Sequence, residues 1–153
     1  IAQDYPDGNL VLVGVLKGGI FFFSDLAKAI DQKMEVDFIN VKSYFGGTHS
    51  TGHVVLYRDI QIDIAGKHVI VVDDIYDTGY TLDFIDTLLR KRNPASVRLC
   101  ILIHKQRFHE KDLQIHYCAF DIPDAFVVGY GLDYQEYYRN LPYIAEYQEE
   151  VSP

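Results

Sequence analysis

Three acidic residues and two hydroxyl residues lie close together near the middle of the chain. Asp73 and Asp74 are adjacent, and after two further residues the segment 77–81 reads Asp-Thr-Gly-Tyr-Thr. Adjacent carboxylates are suited to a divalent metal ion or to sugar hydroxyls. Threonine hydroxyls beside a glycine, which allows close backbone approach, are suited to a phosphate. Because three carboxylates would repel a bare anion, we expect a diphosphate that carries Mg²⁺.

A strand and a helix are predicted to hold these residues in place. The apolar run from His68 to Val72 predicts a short buried strand that ends at the acidic pair. An amphipathic helix is predicted after the turn from apolar residues at helical spacing, namely Leu82, Ile85, Leu88 and Leu89. A helix N-terminus offers unpaired N–H groups and a partial positive charge to a phosphate. The alternative is a doubly wound domain, similar to response regulators, whose strand ends in two acids by chance.

The start of the chain repeats this arrangement. The run Leu10–Leu16 predicts a second buried strand, which ends at Lys17-Gly18-Gly19. A helix is predicted next, with one apolar face made of Phe22, Phe23, Leu26, Ala27 and Ile30. A strand, a glycine turn and a helix form the shape of an anion site, and Lys17 adds a positive charge. On its own this pattern also fits a plain turn with a solvated lysine.

Further strands are predicted in the segments 36–41, 54–60, 96–104, 117–120 and 126–130. Strands that alternate with helices indicate an α/β fold with a mostly parallel sheet, whose ligands bind at the carboxyl ends of the strands. The segment 42–53 is rich in glycine and hydroxyl groups and predicts a lid or binding loop, with a β-hairpin tip as the alternative. Residues 132–147 predict a loop-rich tail.

The composition fits one globular domain of 153 residues, with 48% hydrophobic and 24% charged residues. The net charge of −8 argues against nucleic acid as a partner, because phosphate neutralisation needs a basic surface. No apolar run has the length of a membrane span, and no signal peptide is visible. Cys100 and Cys118 lie in apolar runs and are interpreted as buried thiols. We therefore expect a cytoplasmic protein, and a chain that begins at Ile1 predicts a truncated N-terminus.

Three segments resemble a known family. Residues 69–81, with four apolar residues, two acids, two apolar residues and Asp-Thr-Gly-Tyr-Thr, resemble the phosphoribosyl-pyrophosphate motif of type I phosphoribosyltransferases. Residues 16–19 resemble the pyrophosphate loop of the 6-oxopurine enzymes, which implies a cis peptide between Leu16 and Lys17. Residues 126–134, Phe-Val-Val-Gly-Tyr-Gly-Leu-Asp-Tyr, are similar to the purine-site signature of hypoxanthine-guanine phosphoribosyltransferases. The match runs from Leu10 to Arg139, nearly the whole chain.

The resemblance implies a type I phosphoribosyltransferase fold, in which helices flank a central sheet that carries a small C-terminal hood and a flexible lid. It implies transfer of a phosphoribosyl group from phosphoribosyl pyrophosphate to a 6-oxopurine base with Mg²⁺, giving a purine nucleoside monophosphate. It also implies a homodimer or homotetramer. The rival interpretations are a regulator that binds these ligands without catalysis, and a phospho-acceptor signalling domain built on Asp74 and Lys105.

The resemblance also assigns roles to individual residues. Asp77 carries the proton at purine N7, although it could instead be only a helix cap. Asp73 and Asp74 bind the ribose hydroxyls or their metal ion, and Asp133 binds a second Mg²⁺. The contacts to the 5′-phosphate are Thr78, Gly79, Tyr80 and Thr81. The contacts to pyrophosphate are Lys17, the Gly18 amide and Arg139, and the lid begins at Ser43 and Tyr44.

The purine base is expected to stack on Phe126, to accept a hydrogen bond at its 6-oxo group from Lys105, and to meet a backbone carbonyl near Val127. Because Lys105 would repel an adenine 6-amino group, we expect selectivity for oxopurines. The chain departs from its relatives at two places. Asp73 stands where many relatives have glutamate, and Tyr80 stands where some have lysine, so a cationic phosphate contact is lost there.

Overall fold

A computed structural model describes residues 1–44 and 53–148, with Tyr44 described by its backbone alone. Six strands form the main sheet: β1 (Leu10–Leu16), β2 (Met34–Tyr44), β3 (His53–Arg58), β4 (His68–Tyr76), β5 (Ser96–Gln106) and β6 (Tyr117–Pro123). Their order across the sheet is β3-β2-β1-β4-β5-β6. All neighbouring pairs are parallel except β2 and β3, which are antiparallel. The mostly parallel α/β sheet predicted from the sequence is confirmed.

Two helices cover opposite faces of this sheet. Helix α1 (Ile20–Ala29) joins β1 to β2, and helix α2 (Tyr80–Arg90) joins β4 to β5. Because side chains alternate along a strand, β1 contributes side chains to the cores on both faces of the sheet. Leu10 and Leu12 pack in one core with Phe23 of α1, while Val11 and Val13 pack in the other with the buried residues of α2, Leu82, Ile85 and Leu89. Among the described residues, no helix has the length and apolar character needed to cross a membrane.

The central strands β1 and β4 lie side by side although a long segment of the chain separates them. From β1 the chain crosses to β2 on one side, and from β4 it crosses to β5 on the other side. The turns that follow β1 and β4 therefore diverge and leave a crevice at the carboxyl edge of the sheet, which is where open α/β sheets bind their ligands.

Strand β4 extends beyond the predicted end at Val72. Its backbone continues to pair with β5 through the acidic residues, so that Asp73 lies opposite Ile101 and Ile75 lies opposite Ile103. An apolar run marks where side chains are buried, whereas the ladder of backbone hydrogen bonds can continue under polar side chains. The acidic pair is consequently held on a rigid strand.

The predicted lid begins and ends in strands. Tyr44 at the end of β2 pairs with His53 at the start of β3, and Ser43 pairs with Val54, as in a hairpin. Residues 45–52, which form the rest of the predicted lid, lie outside the described residues. The lid function of Ser43 and Tyr44 stays a prediction.

The C-terminal part folds into a small hood beside the sheet. Strands β7 (Val127–Val128) and β8 (Ala145–Glu146) form an antiparallel pair, which is shorter than the predicted strand 126–130. The segment between them consists of turns and isolated bridges, and Gly129 and Gly131 adopt positive φ there. Glycines with positive φ interrupt a strand, which explains the shorter element. The loop-rich tail is confirmed.

One cysteine prediction is wrong. Cys100 is buried in β5 as expected, but Cys118 is exposed. It lies on β6, the edge strand of the sheet, where Cys118 and the neighbouring Phe120 are both exposed. An apolar run predicts a strand, but it does not show whether another element covers both faces of that strand.

Candidate active site

The crevice between the ends of β1 and β4 contains a cavity of about 380 Å³. Four parts of the chain line it: the turn after β1, the end of β2, the loop between β4 and α2, and the segment that follows β7. The predicted residues in its wall are Gly18, Ser43, Asp73, Asp74, Asp77, Thr78, Gly79, Thr81, Asp133 and Arg139. The structure therefore brings most of the predicted phosphate, ribose and metal contacts around one space.

The acidic pair lies at the floor of this cavity. Asp73 is only 6% exposed, and its Oδ1 accepts a hydrogen bond of 2.9 Å from the backbone N–H of Asp74. Burial raises the pKa of Asp73 well above its usual range, and the neighbouring charge of Asp74 adds to this effect. Burial also raises the pKa of Asp74. Buried like charges favour the binding of a cation at this point.

The donor set at the acidic pair fits Mg²⁺, which prefers oxygen ligands and commonly takes one or two carboxylates together with substrate oxygens. Among the described residues, no group of three or more acidic, histidine or cysteine side chains forms a metal site by itself. Asp133 forms no such group with the acidic pair, and its carboxylate is paired with Arg139 at 2.7 Å. A metal ion at Asp73 and Asp74 would therefore complete its coordination with oxygens of the substrate.

The loop that leads into α2 is shaped for a phosphate. Gly79 has a φ of 90°, and a Cβ there would lie 2.6 Å from the carbonyl oxygen of Lys111. Thr81, in the first turn of α2, has its Oγ1 3.3 Å from Oγ of Ser43. The ring of Tyr80 does not line the cavity and packs against Lys111, whose Nζ lies 5.8 Å from the ring centroid. Hydroxyl groups and helix N–H groups, and not the Tyr80 ring, therefore face the cavity.

Three distant segments meet at Gly18. A Cβ on Gly18 would lie 1.7 Å from Oδ2 of Asp74, and a Cβ on Gly131 would lie 1.9 Å from the carbonyl oxygen of Gly18. Only glycine permits both approaches. The cis peptide between Leu16 and Lys17, which the resemblance implied, is confirmed. The turn after β1 is thus fitted between the acidic strand and the hood.

Positive charge collects at the outer end of the cavity. The Nη1 of Arg139 donates to the carbonyl of Gly131 at 2.7 Å, and its Nη2 pairs with Asp133 and, at 3.3 Å, with Glu136. Lys17 pairs with the same Glu136 at 2.9 Å. The Nε of Arg139 is buried and has no hydrogen-bond partner among the described residues. Two cations and an unused donor therefore surround one exposed carboxylate, which an incoming anion could displace.

A four-charge network occupies the opposite end. Lys105 is 7% exposed, and its Nζ lies 3.8 Å from Oδ2 of Asp77 and 3.7 Å from Oδ1 of Asp124. Arg107 contacts the same two carboxylates through Nη1, at 3.0 Å for Asp77 and 3.8 Å for Asp124. Helix α2 is capped by Gly79 without a side-chain hydrogen bond. Asp77 is therefore no helix cap, and its carboxylate belongs to this network.

Phe126 stands at the edge of the hood. It is 49% exposed, and its ring meets the rings of Tyr134 and Tyr147 edge-on, at centroid distances of 5.8 and 5.9 Å. The backbone of Val127 pairs with Glu146 in the hood. Lys105, Phe126 and Val127 lie outside the wall of the 380 Å³ cavity, and the contact between Lys105 and Asp77 connects them to it.

Three charged residues of this site were not predicted. Glu136 bridges Lys17 and Arg139, while Arg107 and Asp124 complete the network around Asp77. All three lie in polar loops, where charged residues are common and usually solvated. No local pattern distinguishes them, because the partners of Arg107 and Asp124, and the Lys17 partner of Glu136, are far away in the sequence.

Comparisons with known proteins agree with this geometry. A family profile for the phosphoribosyl transferase domain matches residues 1–135. The chain is 46% identical over 151 residues to the hypoxanthine-guanine phosphoribosyltransferase of Staphylococcus epidermidis, and equally to that of Streptococcus pneumoniae, covering 99% of this chain and 84% of each relative.

Solved structures give the same result. A crystal structure of a hypoxanthine phosphoribosyltransferase from Staphylococcus aureus superposes with a TM-score of 0.92 at 45% identity, over 99% of this chain and 83% of that one. The hypoxanthine phosphoribosyltransferase of Trypanosoma cruzi, in complex with the product IMP, gives a TM-score of 0.89 at 37% identity, over 99% and 85% of the two chains. The chain therefore belongs to the type I phosphoribosyltransferase family and, within it, to the hypoxanthine-guanine phosphoribosyltransferases, which are glycosyltransferases of purine salvage.

Proposed function

We propose that the enzyme forms IMP or GMP, with XMP as a further candidate product, together with pyrophosphate, from a 6-oxopurine base and phosphoribosyl pyrophosphate in a reaction that depends on Mg²⁺. The position of Asp77 carries this proposal. Its backbone opens the phosphate loop, and its carboxylate lies 3.8 Å from the buried Nζ of Lys105. A nucleotide whose phosphate binds the loop would thus have its base next to Asp77.

The 5′-phosphate binds at the start of α2 in this proposal. The hydroxyls of Thr78 and Thr81 donate to it, as do backbone N–H groups of the segment 78–81. Tyr80 contributes its backbone, since its ring packs against Lys111. The absence of a lysine at position 80 therefore leaves the phosphate to be held by hydroxyls and helix N–H groups.

The pyrophosphate leaves toward the positive end of the cavity. Lys17, the Gly18 amide and Arg139 receive it, and the carboxylate of Glu136 gives up its two cations as the anion enters. Negative charge develops on the leaving oxygen while the C1′–oxygen bond breaks, so donors placed there in advance lower the barrier. The unused Nε of Arg139 is one such donor.

Asp73 and Asp74 would hold Mg²⁺ or the ribose hydroxyls, and Asp133 would hold a second ion once Arg139 turns to the pyrophosphate. When bound, Mg²⁺ neutralises charge on the departing pyrophosphate. Because burial raises the pKa of both Asp73 and Asp74, protons compete with the metal ion for these carboxylates.

The base binds beside the four-charge network. Lys105 donates to the 6-oxo group, Phe126 stacks on the ring, and the carbonyl of Val127 meets its N1 or 2-amino edge. As purine N9 bonds to C1′, Asp77 accepts the proton from N7. A carboxylate has four lone-pair sites, so Asp77 can accept this proton while Arg107 still holds Oδ1.

Initial rates of nucleotide formation test the proposal. Hypoxanthine, guanine, xanthine and adenine are each supplied with phosphoribosyl pyrophosphate and Mg²⁺. We expect turnover of 6-oxopurines and none of adenine, because Lys105 offers only donors to position 6. Equal turnover of adenine would contradict the assignment of Lys105. Binding of the ligands without turnover would instead indicate a non-catalytic regulator on the same fold.

Two further expectations stay predictions. The family resemblance implies a homodimer or homotetramer, which light scattering during size-exclusion chromatography would measure. The composition predicts a cytoplasmic location without nucleic-acid partners, which fractionation and binding assays would test.

A further inference from the structure

A second cavity, of about 650 Å³, lies behind the loop of Asp77, and the mechanism does not use it. Tyr76, His104 and His109 line it together. Nε2 of His104, on β5, lies 3.1 Å from Nε2 of His109, in the loop that follows β5. Two imidazole nitrogens at this distance must share either a proton or a metal ion.

The partners of the other ring nitrogens decide how many protons the pair holds. Nδ1 of His109 bonds to the backbone carbonyl of Asp77, which can only accept, so this nitrogen carries a hydrogen. Nδ1 of His104 lies 2.6 Å from Oδ1 of Asp121, and an ionised carboxylate also only accepts. If both rings were neutral, each Nε2 would present a lone pair to the other. The contact at 3.1 Å therefore requires one additional proton.

The ring geometry favours this proton over a metal ion. The ring centroids of His104 and His109 are 5.1 Å apart while their Nε2 atoms are 3.1 Å apart, so the nitrogens point at each other almost along the line between the rings. Two zinc–nitrogen bonds of about 2.0–2.1 Å along one line would separate the nitrogens by about 4 Å. A hydrogen bond from Nε2–H of one ring to Nε2 of the other fits the observed distance.

Surrounding groups stabilise a single positive charge on the pair. Asp121 on β6 bonds to His104, and the Tyr76 ring stacks on both imidazoles, at 4.0 Å for His109 and 5.5 Å for His104. The other titratable or charged groups that line this cavity are Cys118 on β6, and Arg107 and Asp112 on the loop after β5. Asp121 is the carboxylate in direct contact with the pair, so His104 is the ring that carries the charge best.

The pair is connected to the catalytic loop by more than one bond. His109 donates to the Asp77 carbonyl, and Tyr76, which precedes Asp77, donates its hydroxyl to the carbonyl of Lys111 at 2.6 Å. The backbone N–H of Leu113 in turn donates to the Tyr76 hydroxyl at 3.1 Å. Residues 109–113 are thereby fastened to the peptide that carries the catalytic carboxylate.

We propose that His104 and His109 share one proton, and that the protonated pair positions the Asp77 peptide for catalysis. His109 is then a positioning residue for Asp77, and His104 holds His109. Without that proton two lone pairs would face each other, and His109 would be pushed away from Asp77. This inference rests on the proposed function for its effect on turnover, whereas the shared proton itself does not depend on it.

Nitrogen NMR of the labelled histidines in the wild-type enzyme tests the shared proton directly. We expect one protonated and one bare Nε2 in this pair, with a coupling between the two nitrogens through the shared proton. Two bare Nε2 atoms would overturn the proposal whatever the enzyme turns over.

Kinetics of matched variants test the positioning role. In His104→Gln the side-chain amide can donate to Nε2 of His109, so kcat should stay close to the wild-type value. In His104→Leu no donor remains, and we expect kcat to fall about 10- to 100-fold with the KM for phosphoribosyl pyrophosphate nearly unchanged. The control is His68→Gln, because the His68 imidazole lies at the other end of β4, where it bonds to Ser96. Equal kcat values for the two His104 variants would overturn the role, while a wild-type enzyme inactive on all 6-oxopurines would contradict the proposed function instead.

Discussion

The proposed phosphate end and the proposed base end of this site differ in how the chain builds them. The phosphate end is one continuous segment, in which a rigid strand delivers Asp73 and Asp74 and a glycine turn starts α2. The base end draws Asp77, Lys105 and Asp124 from the ends of three neighbouring strands and binds them by opposite charges. The conformation of the backbone therefore forms the phosphate end, whereas contacts between side chains distant in the sequence form the base end.

This difference predicts different responses to substitution. Where the backbone forms the site, side-chain changes cost little unless they alter the path of the chain. Where charges hold one another, removal of one member leaves its partners unpaired. Asp77 belongs to both ends, because its backbone opens the phosphate loop while its carboxylate joins the network at the base end.

The largest effect is expected for Asp77→Asn. An amide cannot accept the N7 proton, so we expect kcat to fall about 10²- to 10⁴-fold, with the KM for phosphoribosyl pyrophosphate nearly unchanged because the loop backbone persists. Steady-state kinetics with hypoxanthine measure this. Asp86→Asn, which removes a surface pair with Arg90 on α2, is the matched control. Full activity of Asp77→Asn would reduce Asp77 to a structural role.

A smaller loss, confined to the base, is expected for Lys105→Met. Loss of a charged hydrogen-bond donor costs about 1.5–3 kcal/mol, which is about 10- to 100-fold in kcat/KM for hypoxanthine. The KM for phosphoribosyl pyrophosphate should stay constant. The control is Lys111→Met, which removes a lysine that pairs with Asp83 at 3.2 Å. If Lys105→Met weakened the binding of hypoxanthine and of phosphoribosyl pyrophosphate equally, the two ends would not be separate.

Gly18→Ala is expected to weaken binding of phosphoribosyl pyrophosphate and not of the purine base, which is the reverse of Lys105→Met. The new Cβ would lie 1.7 Å from Oδ2 of Asp74, so the acidic residue or the turn must move. We expect the KM for phosphoribosyl pyrophosphate to rise about tenfold, equivalent to about 1.4 kcal/mol. Gly8→Ala introduces strain at a positive φ away from the site and serves as the control. If the variant bound the purine base more weakly and phosphoribosyl pyrophosphate as before, the backbone role of the turn would be contradicted.

The smallest effect concerns stability. Burial raises the pKa of Asp73 in the folded chain, so its carboxyl contributes less stability as the pH rises from about 4 through the folded value. Asparagine does not titrate, and Asp73→Asn should therefore raise the free energy of unfolding by about 0.5–2 kcal/mol without metal ions, increasingly so as the pH rises. Urea unfolding of both proteins at several pH values between about 5 and about 8 measures this difference in the free energy of unfolding.

Asp37 offers a control of opposite sign. Burial acts to raise its pKa, but hydrogen bonds from the backbone N–H groups of Gln61, Phe38 and Ile62 outweigh burial, and the pKa is lowered. Asp37→Asn should therefore destabilise the protein above the ordinary pKa of the carboxyl. Destabilisation by both variants would contradict the view that Asp73 is kept for function at a cost in stability.

The sequence predicted the phosphate end better than the base end. A contiguous motif shows its chemistry directly, so Thr78, Gly79 and Thr81 were found in the cavity wall. The extension of β4 to Tyr76 was not predicted, because backbone pairing leaves no trace in hydrophobicity. Arg107 could not be assigned either, since its partners Asp77 and Asp124 are distant in the chain.

A crystal structure of the enzyme with IMP and Mg²⁺ would test the two-ended site most directly. We predict that the 5′-phosphate contacts the loop of Thr78 and Thr81, and that the purine lies against Phe126 with its 6-oxo group at Nζ of Lys105. A purine bound away from Lys105, for example in the 650 Å³ cavity beside His104, would contradict the account.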